Sequence, residues 1–128
     1  MEYTRIYGDS DGESHFEDVT VELSPVDFAP PAPPLNLAPP IAADRVVLGA
    51  AERAWFGDWH PTPNRQFFFQ MSGKLEVAAS DGEVRQFQAG SLLLLEDVSG
   101  KGHLSKVVGN KAVHGVFVQL RESGDAAA

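Results

Sequence analysis

From Arg45 to Leu120 the chain is a series of short apolar runs separated by turn residues: RVVLGA, AERAWFG, QFFFQMSG, KLEVAASDG, EVRQFQAG, SLLLLED, HLSKVVGN and AVHGVFVQL. Each run has the length of a strand, and none sustains the 3.6-residue period of an amphipathic helix. Asp81-Gly82 falls between two of these runs as a two-residue hairpin signal, because both central positions of a type I′ turn need positive φ. Gly73 and Gly109-Asn110 mark further turns. Closely spaced strands with tight turns predict an all-β antiparallel sandwich or barrel. Upstream, period two places His15, Glu17, Val19, Val21 and Leu23 on one face of an N-terminal strand. Between Pro25 and Pro40 lie seven of the nine prolines, which can neither continue a helix nor donate to a sheet ladder. Val26, Phe28, Leu35, Leu37 and Ile41 make that stretch too apolar for a solvated tether, so it is expected to pack on the barrel as a polyproline-like arm. The predicted organisation is an N-terminal strand and proline-rich arm over 1–44, a barrel over 45–121 and a flexible tail over 122–128.

With 128 residues there is room for one core. Hydrophobic residues at 43% and charged residues at 22% fit a globular chain. The net charge of −8 disfavours nucleic acid and anionic membranes, both of which select a basic surface. The absence of cysteine removes thiolate nucleophiles and zinc-thiolate sites, so a metal would need nitrogen and oxygen ligands. Met1 to Gly12 has no basic or apolar leader pattern and no run approaches ~18 apolar residues, so a cytoplasmic location is expected.

Two short motifs stand out. His60-Pro61-Thr62 is followed by Gln66 and then, seven residues on, by Gly73; Gly90 is followed by SLLLLED, a polar turn and His103. In this order the chain resembles the cupin superfamily over roughly Glu52 to Leu120. That resemblance implies a double-stranded β-helix, or jelly-roll, barrel with a ligand or metal in its mouth. The departures lie in the ligands. The family's second histidine is Thr62 here, its glutamate is Gln66, Ala54 occupies the place of its leading glycine, and the second motif is two residues longer. Three imidazoles and a carboxylate are thus reduced to two imidazoles and an amide. A divalent Mn, Fe, Ni or Zn ion would rest on His60, Gln66 and His103, with Asp97 or Glu96 as a source of the missing anion.

The same resemblance turns His60 and His103 into one cavity as candidate catalytic groups. Trp59, Thr62, Gln66, Phe68 and Ser105 form the expected substrate-contacting set. Period two places Gln66, Phe68 and Gln70 inward and Phe67, Phe69 and Met71 outward. Trp59, beside His60, is expected to form a stacking wall, and Trp55 to fill core. An imidazole titrates near pH ~6.5 and serves as acid or base at neutral pH. Proton-transfer chemistry of isomerase, cyclase or lyase type is therefore the favoured reading. A non-catalytic binding or sensory module, or a metal enzyme with a reduced ligand set, is the alternative.

Other chemistries lack their signatures. There is no G-x-S-x-G elbow, and Gly100-Lys101-Gly102 lacks the spacing of a phosphate loop and reads as a tight turn. Arg65 and His15 read as surface residues, and His114 has no assigned role. Three consecutive phenylalanines, Phe67 to Phe69, cannot all face one interior, which together with the habit of small cupins predicts a homodimer.

Overall fold

The computed structural model describes residues 1–122; the expected tail over 122–128 falls almost wholly outside them. Twelve strands are present, with no helix among the described residues: β1 (Glu2–Gly8), β2 (Ser14–Thr20), β3 (Ser24–Val26), β4 (Leu35–Leu37), β5 (Ala43–Ala51), β6 (Phe56–His60), β7 (Gln66–Gln70), β8 (Lys74–Ala79), β9 (Val84–Gln88), β10 (Leu92–Glu96), β11 (His103–Val108) and β12 (Val113–Leu120). A six-stranded sheet of order β2-β1-β10-β7-β12-β5 faces a four-stranded sheet of order β6-β11-β8-β9. This is an all-β jelly-roll barrel, closed by side chains from both inner faces. Among the described residues no helix is long and apolar enough to cross a membrane.

The core follows from period two. Phe68 on β7, Val77 and Ala79 on β8, Phe87 on β9, Leu93 and Leu95 on β10, Val107 on β11 and Val113 on β12 turn inward and are buried together. On β7 the alternation is as expected, with Gln66, Phe68 and Gln70 buried and Phe69 and Met71 exposed. Gln70 does not face a ligand, however. Its amide Nε2 donates to the carbonyls of Gly73 at 3.0 Å and Phe87 at 2.9 Å, closing the turn before β8. The four leucines of β10, the strand between β1 and β7, are buried on both faces or nearly so, the outward Leu94 being only 4% exposed.

The first twenty residues differ from the expectation of elements lying outside the barrel. β1 pairs in parallel with β10, from Thr4 opposite Leu93 to Tyr7 opposite Glu96, and β2 pairs with β1. Ile6 is 0% exposed and belongs to the main core with Phe16. The acidic look of Met1 to Gly12 hid this strand, since only one face of it is buried. The inward face of β2 is also the opposite of the apolar-looking one: Ser14 and Phe16 are buried, while Glu17 is exposed.

The proline-rich stretch is not a featureless extended arm. Ser24–Val26 pairs with Leu35–Leu37 as a small hairpin bonded to neither large sheet. Its Val26, Phe28 and Leu35, and Ile41 beyond it, are exposed within the single chain, so the arm finds no cover on its own barrel.

Candidate functional site

β6 and β11 are antiparallel neighbours, and His60 stands directly opposite His103 in their register. Both side chains turn inward, which brings their ring centroids to 5.0 Å at an interplanar angle of 52°. His103 is buried and His60 is exposed at the mouth. Between the two sheets lies a cavity of about 290 Å³, and both histidines line it together with Thr62, Gln66, Phe68 and Ser105.

Each imidazole is held by its Nδ1. That of His103 lies 2.6 Å from Oδ2 of Asp97, and that of His60 lies 2.6 Å from the backbone carbonyl of Asp58. A carbonyl or carboxylate oxygen only accepts, so each Nδ1 carries a proton and each Nε2 is left for the contents of the cavity. Asp97 is 0% exposed. Its Oδ1 accepts from the Thr62 hydroxyl at 2.8 Å, and its backbone oxygen accepts from the Thr62 amide at 2.9 Å. Thr62, expected to touch substrate, thus acts mainly as the clamp on Asp97. Asp97 continues the inward parity of Leu93 and Leu95, and this is the signal that marks it in the sequence.

On the opposite wall, Gln66 Oε1 accepts from Gln119 Nε2 at 3.2 Å. This leaves the Gln66 amide NH₂ as a donor group at the cavity. The rest of the wall is mostly apolar, from Leu75 and Val77 on one sheet to Leu93, Leu95, Val113 and Phe117 on the other.

Two expectations are corrected by this geometry. Trp59 does not line the cavity; it faces outward with Ser80 and Lys101 at a shallow surface depression. Successive residues of a strand point to opposite faces, so with His60 turned inward its neighbour must turn out. The cavity tryptophan is Trp55, whose indole lies over Gly57, where a Cβ would collide with the ring. Glu96 is likewise no anion for the cavity, because its carboxylate is held by Arg5 at 2.5 Å and by Arg65 on the outer side. Burial raises the pKa of Glu96, but the guanidiniums of Arg65 and Arg5 outweigh it and hold the carboxyl below its ordinary range. Arg65 is therefore part of this ion network and not a free surface charge.

The glycine turn beneath the histidines is braced from the N-terminal strands. Lys101 N donates to Gly12 O at 2.9 Å, Ser14 Oγ donates to Gly102 O at 2.7 Å, and the Lys101 ammonium pairs with Glu13. His15 lies at the surface, as expected. Its Nε2 is 2.6 Å from Asp9 and its Nδ1 is 2.9 Å from Asp81, so it ties the β1–β2 turn to the β8–β9 hairpin. Hydrogen bonds to Asp9 and then Asp81 raise its pKa above the ordinary imidazole value. A raised folded-state pKa contributes stability in full below the unfolded value and loses it as pH rises through the folded value. The melting-temperature difference between the wild type and His15→Asn is expected to be largest below about pH 6 and to shrink toward alkaline pH. Thermal melts across that range check this, and a difference that grows with pH contradicts it.

No protein-family model matches the sequence, and no curated protein matches it. Among solved structures, the cupin domain of Cnp3 from Schizosaccharomyces pombe superposes with a TM-score of 0.55 at 12% identity, covering 98% of this chain and 91% of that one. An RmlC-like cupin from Shewanella frigidimarina superposes at 0.45 with 16% identity, covering 94% and 88%. Protein NMB1881 from Neisseria meningitidis matches over 59% of this chain and 72% of its own at 0.43 with 16% identity. The strand order of the two sheets and the first of these superpositions, which spans nearly the whole chain, agree: the chain has the jelly-roll fold of cupin domains.

Proposed function

We propose that the cavity binds a small uncharged organic molecule and that His103 moves a proton on it, in a reaction of isomerase, cyclase or lyase type. The observation that carries this reading is the buried Asp97–His103 pair, with Nδ1 of the ring on the carboxylate and Nε2 left toward the cavity. A carboxylate behind an imidazole fixes the tautomer and offsets the charge the ring takes up when Nε2 accepts a proton. His60, across the strand pair at the mouth, is the second acid–base group. Gln66 NH₂ and the Ser105 hydroxyl are positioned to hold a carbonyl or hydroxyl oxygen. Among the described residues no lysine or arginine lines the cavity, so an anionic head group would lack a fixed cationic partner from them. The apolar wall, which includes Trp55, suits a hydrocarbon or aromatic body.

The divalent ion that the family resemblance implies does not suit this donor set. Gln66 has its oxygen on Gln119, and no group of three or more His, Asp or Glu side chains converges among the described residues. Two imidazoles alone leave a divalent charge without an anion. Titration with Zn, Ni or Mn at pH 8 is expected to show no stoichiometric site. Binding that is abolished by His103→Gln would reinstate the metal.

The test of the reading is His103→Gln and His60→Gln, measured for melting temperature and for turnover of a substrate found by thermal-shift screening of small hydroxyl- and carbonyl-bearing compounds. Turnover is expected to fall about 10²–10⁴-fold for His103→Gln, with ligand affinity largely kept. Loss of affinity with no turnover to lose would make the protein a binding or sensory module. A fall in melting temperature alone would make the histidines structural.

A further inference from the structure

Gln66 is held by a side chain that stands behind it, away from the cavity. Gln119 on β12 lies directly opposite Gln66 on β7, and residues opposed in register share a face of the sheet, here the inward one. The Gln119 Nε2 donates to Gln66 Oε1 at 3.2 Å, the only hydrogen bond that the Gln66 amide makes among the described residues. Gln66 lines the cavity and Gln119 does not. The backbone leaves little play between the two, because Leu120 N donates to Arg65 O at 3.0 Å just beyond them.

A glutamine amide rotated by half a turn keeps its shape, so only its hydrogen bonds decide which end points where. For this pair the two arrangements are unequal. As the pair stands, Gln119 Oε1 is buried without a partner. Turning both amides over keeps the bond between them but puts the Gln119 NH₂, with its two hydrogens, in that buried position. An unpaired buried acceptor is tolerated more readily than an unpaired donor, so the observed arrangement is the favoured one. We infer that Gln119 is a positioning residue: by occupying Gln66 Oε1 it commits the NH₂ end of Gln66 to the cavity, and so makes a carbonyl oxygen the group that this wall selects. On the other wall each neutral imidazole keeps its proton on Nδ1 and offers no donor to the cavity. The carbonyl end of a ligand is therefore directed to Gln66. This names the substrate class as a neutral carbonyl compound, and it rests on the proposed reading of the cavity as a ligand site.

The test is Gln119→Glu, measured at pH 8. Gln119 is only partly buried and Arg45 stands opposite it on β5, so the new carboxyl is ionised at that pH and can only accept. It then draws the Gln66 NH₂ toward itself and turns the Gln66 oxygen to the cavity. The probes are 1-indanone, a small bicyclic ketone, and indene, a hydrocarbon of the same skeleton, with binding followed on the Gln66 side-chain amide and the His103 ring by NMR. The affinity for 1-indanone is expected to fall about tenfold in Gln119→Glu, the scale of one hydrogen bond lost, while that for indene is kept. Gln66→Leu is expected to weaken 1-indanone to a similar degree, and adding Gln119→Glu to it is expected to change nothing further. A Gln119→Glu variant that holds the ketone as well as the wild type does overturns the proposal. So does one that loses ketone and hydrocarbon together, which would make Gln119 structural. If neither probe enters the wild-type cavity, the inference falls together with the proposed function. If ketone affinity depends on Gln119 as expected but no carbonyl compound is turned over, the inference stands and only the proton-transfer reading falls.

Discussion

Asp97→Ala is expected to lower stability by about 4 kcal/mol and the melting temperature by roughly 15 °C, the largest effect of a single substitution near the site. The carboxylate is fully buried and accepts from the Thr62 hydroxyl and from His103 Nδ1. Alanine leaves both donors buried without a partner, at about 1–3 kcal/mol each, and adds a small void. Asp97→Asn separates structure from chemistry. It is nearly isosteric, so the melting temperature is expected to fall by less than half as much. Its amide presents either an oxygen or an NH₂ to His103, and the second choice forces the other imidazole tautomer. Nitrogen-detected NMR of the His103 ring reads this directly, with protonated Nδ1 in the wild type and a mixed or reversed tautomer in the variant. An unchanged tautomer together with unchanged turnover would remove Asp97 from the proposed chemistry and leave it a structural acceptor.

Gly102→Ala is expected to cost about 3 kcal/mol, or roughly 10 °C in melting temperature, and to displace both histidines. Gly102 has φ near +70°, and a Cβ there would lie well inside van der Waals contact with the carbonyl of His60. The left-handed backbone alone costs about 1 kcal/mol for alanine. The collision is with main chain and cannot be relieved by rotating a side chain, so either the Gly100–Gly102 turn or β6 must move. The turn is pinned by Gly12 and Ser14. The yielding part is therefore the His60 end of β6, a sheet edge that already carries a register irregularity against β11. Calorimetry gives the stability loss, and the chemical shifts of the His60 and His103 ring protons report the displacement. Gly82→Ala, at a positive-φ hairpin position with open space around it, controls for backbone conformation alone and is expected to cost only about 1 kcal/mol.

Legibility in the sequence was uneven, for reasons that belong to particular residues. The strands from Arg45 onward were readable because each carries an apolar face, and the Asp81-Gly82 turn because its backbone demands glycine. The convergence of His60, Gln66 and His103 on one cavity followed from motif order once the barrel was assumed. β1 was not readable: its outward face is Tyr3, Arg5 and Tyr7, and Arg5 is paired with Glu96, some 90 residues away. The exchange of Trp59 for Trp55 was decidable from alternation beside His60, whereas the contact of Trp55 with the cavity depends on the loop from Glu52 to Trp55, where Ala54 takes positive φ.

By itself, the sequence determined the period-two elements, the positions of the tight turns, the absence of thiol and strongly basic surfaces, and the residue types at the two motif positions. These are local properties, set by the alternation of side chains and by the φ that each residue tolerates. Only the tertiary structure decided which polar groups meet. Asp97 reaches His103 and Thr62, Gln66 turns its oxygen to Gln119, and Glu96 turns away to Arg5 and Arg65, because sheet order and register place residues distant in the chain within a hydrogen bond of one another. Adjacent residues Glu96 and Asp97 are alike in sequence and opposite in fate, since a strand sends one to the outer face and the next to the buried interior, where an unpaired charge is costly enough to require both of its partners.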